Sequence, residues 1–90
     1  MLPKIMFSTT QTVTTELHIA TALLPPGAPF TLTYFTVAVN GISPADCHEV
    51  HECWVILRGS GRLMYNGVSL RAQPQDLFYF SSFEQHQIAN

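Results

Sequence analysis

A chain of 90 residues has room for one domain and buries only a little over ~60% of the surface that it exposes when unfolded, which excludes a two-domain reading. Apolar residues make up 47% and charged residues 11%, against about 25% charged in an ordinary globular protein, so disorder is excluded and few charges remain to cover the outside. The net charge of −2 includes only four basic residues, Lys4, Arg58, Arg62 and Arg71, too few and too scattered to track a phosphate backbone, and nucleic acid is excluded as a partner.

From the N-terminus, polar residues 8–12 follow Lys4 where a signal peptide would need an apolar block. No apolar run approaches the roughly 20 residues needed to span a bilayer, so no membrane is expected and the chain is placed in the cytoplasm. There Cys47 and Cys53 are expected to stay thiols rather than form a disulfide. A surface this poor in charge is better covered by a second copy, and a homodimer is expected.

Residues 7–20 are rich in Thr and β-branched side chains, and their alternation predicts a half-buried strand. Pro25, Pro26, Gly27 and Pro29 then break the chain. Residues 30–40 predict a second strand, closed by Gly41-Ile42-Ser43-Pro44. From Cys53 the pattern reads strand, Gly-punctuated turn, strand, then Asn66-Gly67, a strong hairpin signal. Residues 76–80, "DLFYF", add one more. Short strands with turns at ~8–12-residue spacing, and no amphipathic helical window, predict an all-β fold, an antiparallel sandwich or small barrel over residues 1–90.

Residues 47–53 read "CHEVHEC", a concentration of metal-ligand side chains. The spacing does not fit a zinc knuckle, because five residues separate the cysteines. Nor does it fit the helical H-E-x-x-H motif, because His48 and His51 lie three apart. Read as an extended run leading into "WVIL", it puts Asp46, His48, Val50, Glu52 and Trp54 on one face and Cys47, Glu49, His51 and Cys53 on the other. The cysteines would then stand roughly 20 Å apart, unable to share an ion. The Asp46/His48/Glu52 face is the chemically coherent one. His51 is expected at the surface, the cysteines as small apolar fillers, and Asp76 as a turn residue. Gly59-Ser60-Gly61 lacks the further residues of a nucleotide loop and reads as a turn.

These residues resemble the cupins, a family of small β-barrels built around two motifs. Against the first, G-x₅-H-x-H-x₃₋₄-E-x₆-G, the chain has Asn40, Asp46, His48, Glu52 and Gly59 in the five fixed positions. Against the second, G-x₅-P-x-G-x₂-H-x₃-N, it has Gln75, Ser81, Phe83, His86 and Asn90, with every spacing kept. His48, Glu52, Gly59, His86 and Asn90 match; Asp46 replaces the first histidine, and Ser81 and Phe83 replace the Pro and second Gly.

The resemblance implies a metal site of His48, Glu52 and His86, with Asp46 as fourth ligand or as a catalytic proton acceptor. One divalent ion, Fe, Mn, Ni or Zn, would suit such a donor set. Under an apolar pocket lining of Val50, Trp54 and Phe78, it would serve as a Lewis acid or orient O₂ beside a small organic substrate. Cupin chemistry includes oxygenases, isomerases and cyclases, and the loss of the first histidine favours an alternative, a ligand-sensing barrel without turnover. Cupin strands normally continue past the second motif, so the sheet is expected to be completed by the N-terminal strands, by a dimer partner, or by chain beyond Asn90.

Overall fold

The computed structural model describes residues 4–90, and among them the secondary structure is entirely β. Eight strands follow in order: β1 (Gln11–Thr12), β2 (Leu17–Thr21), β3 (Thr33–Val37), β4 (Glu52–Val55), β5 (Gly61–Tyr65), β6 (Val68–Ala72), β7 (Leu77–Phe80) and β8 (His86–Ala89). All pairings are antiparallel and form three small sheets, β1-β2-β3, β4-β7 and β6-β5-β8. The segment before β4 lies along the free side of β8 through single bridges, Ile42 to Ala89 and Asp46 to His86.

The strand predicted over residues 7–20 is in fact a hairpin. Thr14 Oγ1 accepts from the N–H groups of Glu16 and Leu17 at 3.2 and 3.0 Å, an alternative to ladder bonding that turns the chain between β1 and β2. The Asn66-Gly67 signal is borne out: both residues have positive φ, 46° and 81°, and β5 folds directly onto β6. Asp76 closes its turn by accepting from Gln73 N–H at 2.8 Å.

The core is thin. Its buried apolar residues are Leu17, Ala20, Ala22, Leu63, Ala72 and Phe80, and half of them are alanines. Close backbone approach substitutes for bulk at Gly61, where a Cβ would overlap the carbonyl oxygen of Ala89 on β8. Only glycine lets β5 and β8 lie in that register. Leu63, Phe80 and His86 are all at most 2% exposed, so an imidazole stands among the bulkiest groups inside the molecule.

Ser43 secures the segment that precedes β4. Its N–H donates to Ile88 O at 2.8 Å, its hydroxyl accepts from Ile88 N–H at 3.0 Å, and its carbonyl accepts from the Gln87 side-chain amide at 2.8 Å. Three residues along, Asp46 and His86 exchange both backbone hydrogen bonds at 2.9 Å. This lacing brings residues 46–48 beside the start of β8.

Candidate metal centre

His86 opens β8 and is 2% exposed. Its ring stacks on Phe80 at 4.2 Å and 9°, while Trp54 meets it edge-on at 5.0 Å. Its Nδ1 lies 2.9 Å from Glu84 O. A carbonyl only accepts, so Nδ1 carries a proton, and in the neutral ring Nε2 presents a bare lone pair. That Nε2 is buried without a hydrogen-bond partner, although Glu52 Oε2 stands 3.3 Å away.

Glu52 begins β4, opposite Phe80 of β7, and is 26% exposed in its side chain. Oε2 accepts from Trp54 Nε1 at 3.1 Å, and Oε1 lies 3.0 Å from His48 Nε2. The indole, two residues along the same strand face, therefore fixes the carboxylate between the imidazoles. His48 is held by main-chain contacts to the loop before β8: its carbonyl accepts from Phe83 N–H at 2.6 Å, and Cys47 Sγ sits 3.1 Å from Phe83 O.

Donor atoms of His48, Glu52 and His86 thus lie within 4.8 Å of one another. A neutral imidazole lone pair facing a carboxylate lone pair at 3.3 Å repels unless a positive charge stands between them. Two imidazoles and one carboxylate, one of them buried and otherwise unpartnered, suit a divalent transition-metal ion. The second position of Glu84 O, on the far nitrogen of His86, is the outer contact that fixes a metal-ready tautomer.

The other sequence candidates fall around this cluster. Asp46 Oδ2 reaches His48 Nε2 at 3.8 Å from the solvent side, outside the set of three. Val50 is 65% exposed at a bend over Glu49 and Val50, because the run from 46 to 51 is not the continuous strand that alternation predicts. That bend lets His48 and Glu52 meet across four positions, where an extended strand would hold them ~13 Å apart. Trp54 faces the cluster, and Phe78 is half-buried across the β4-β7 ladder from it. His51 is exposed and hydrogen-bonded to Tyr79 OH. Cys47 and Cys53 are free thiols, and both are exposed where small buried fillers were expected.

Sequence reasoning missed β8 as a strand, the stacking of Phe80 on His86 and the Trp54 hydrogen bond. The first two depend on strand pairing, which leaves no local signal. Trp54 shares the face of Glu52, so its nearness was legible and its N–H contact was not.

An antiparallel all-β fold with an imidazole–carboxylate cluster carried on β4, β8 and the segment before β4 defines a class of small barrel proteins. The cupin domain profile matches residues 33–90, well over half of the sequence, and the chain belongs to the cupin family. It is similar in fold to the crystal structure of a cupin-2 domain from Rhodospirillum rubrum, with a TM-score of 0.78 at 20% identity. That match covers 99% of this chain and 62% of the other, so this chain spans less than two thirds of its relative's length. No helix among the described residues is long and apolar enough to cross a membrane.

Proposed function

We propose that this cupin holds one divalent metal ion on His48, Glu52 and His86 and uses it to bind or transform a small organic molecule. The observation that carries the reading is the buried, unpartnered Nε2 of His86, aimed at a carboxylate that already faces a second imidazole. When bound, the ion supplies Lewis acidity toward an oxygen of the organic ligand, or a place to orient O₂. The chain's own residues do the rest. Trp54 N–H holds Glu52 in place, and Phe80 and Trp54 wall the inner side with aromatic surface that excludes water.

Access is from the side of His48 and Asp46, whose side chains are 42% and 49% exposed. Asp46 is placed to take a proton from a ligand arriving there, or to orient His48. The donor set accommodates Fe, Mn, Ni or Zn.

Metal analysis of protein purified without an affinity tag, followed by titration of the chelator-treated protein with each ion, tests the proposal. One ion per chain is expected for the native sequence, and a loss of affinity of at least ~100-fold for Glu52→Gln and His86→Ala, while His51→Ala binds normally. Affinity is expected to fall on acidification, because the imidazoles must give up their protons to bind. Equal affinity in all four proteins would overturn the assignment.

A further inference from the structure

Three strand pairings set a row of side chains across the sheet at the level of His86. Asp46 lies opposite His86 through its bridge, Tyr65 of β5 lies opposite His86 on the other side, and Val68 of β6 lies opposite Tyr65. Residues directly opposite in antiparallel strands share a face, so Asp46, Tyr65 and Val68 stand on the face from which His86 reaches the metal cluster. His86 gives its N–H and C=O to Asp46. Its pair with Tyr65 is therefore the non-hydrogen-bonded kind, the closer of the two, at about 4.5 Å between Cα atoms.

Tyr65 is half-buried, and its ring lies 5.9 Å from that of Phe80, the ring on which His86 stacks. A tyrosine so placed ordinarily brings its hydroxyl to a partner. Among the described residues no hydrogen bond reaches this one: the neighbouring Asn66 Oδ1 accepts from Gln85 N–H at 3.1 Å, and Glu84 O lies on His86 Nδ1. The one buried side-chain polar atom left unpaired among the described residues is His86 Nε2, so the phenol oxygen is accessible from outside and free to meet a molecule that arrives at His86.

Charge narrows what that molecule is. The segments that build the site carry Asp46, Glu49, Glu52 and Glu84, and none of the four basic residues. Arg62 and Arg71 face each other across β5 and β6 and alternate with the buried Leu63 and Ala72, so they point from the opposite face of the sheet. Arg58 stands in the turn after β4, beyond the end of that strand remote from Glu52, and Lys4 lies before β1. Glu52 and Asp46 alone balance a divalent ion, which leaves no net positive charge for an anion and no guanidinium fork for a carboxylate. We propose that Tyr65 is a ligand-selecting residue of this site: its hydroxyl donates to an oxygen of a small uncharged organic molecule, Val68 supplies an apolar flank, and carboxylates are turned away. The inference rests on the metal reading and names the class of molecule that the site takes.

The test uses protein loaded with cobalt(II), whose visible absorption reports what reaches the ion. The probes are salicylamide and salicylate, two molecules of nearly the same shape, one uncharged and one anionic at neutral pH. The anion is the stronger ligand for a divalent ion in water, and the protein is expected to reverse that order. Tyr65→Phe keeps the ring beside Phe80 and is expected to take up cobalt as the native chain does while binding salicylamide about tenfold more weakly. Val68→Lys sets a cation next to Tyr65 and is expected to strengthen salicylate about tenfold with salicylamide unchanged. The comparison of the two probes is made on the native protein and so stands whether or not either variant folds. Cobalt uptake with salicylate preferred, with neither probe bound, or with equal salicylamide affinity in Tyr65→Phe overturns this inference and leaves the metal reading standing. No cobalt uptake overturns both.

Discussion

At the scale of single residues, the departures from the cupin motifs keep the backbone while changing the side chain. Asn40, Gln75 and Phe83 stand at three glycine positions of the motifs, and all have positive φ, at 62°, 74° and 61°. A left-handed conformation costs a non-glycine residue about 1–2 kcal/mol, partly offset in glycine by its larger loss of chain entropy. Phe83 is exposed, so little burial is lost on its removal. Phe83→Gly is expected to raise unfolding stability by about 0.5–1 kcal/mol in urea titration, with the same slope. Trp54→Phe keeps a ring beside His86 and Phe80 but removes the donor to Glu52. Metal affinity should drop ~10–100-fold in that variant, read by calorimetric titration, with the circular dichroism of the fold unchanged.

At the scale of elements, the site depends on how the 42–46 segment is laced to β8. Ser43→Ala removes the hydroxyl that accepts from Ile88 N–H and leaves that part-buried amide unpaired, at a cost of about 1–3 kcal/mol in thermal or urea unfolding. Strand types and most turns were legible in the sequence because Gly, Pro and Asn-Gly punctuate it locally. The contacts of Glu52 with Phe80 and of Asp46 with His86 were not, since they arise from pairing between positions up to 40 residues apart. The motif spacing nevertheless named His48, Glu52 and His86, which the fold brings together. The alternation argument placed Asp46 and Val50 alongside them, and the bend at Glu49 and Val50 is what turns Val50 toward solvent.

For the molecule as a whole, a core half made of alanines leaves little reserve against truncation. Leu63→Ala should cost about 2–5 kcal/mol, a large share of what a domain of this size holds in total. The proposed ion, when bound, would counter this by mass action: at a free concentration of 100 times Kd it would add about 2.7 kcal/mol, enough to raise Tm by roughly 10–20 °C in a scanning measurement with and without metal.

The main-chain lacing has a broader implication. Asp46 and His86 are joined through their peptide groups, and His48 is fastened to Phe83 in the same way, so the positions persist whichever side chains occupy them. The barrel is in this respect a socket with exchangeable pins, in which a side chain can be traded, as aspartate stands at position 46 where the cupin motif has histidine, without rewriting the scaffold around it.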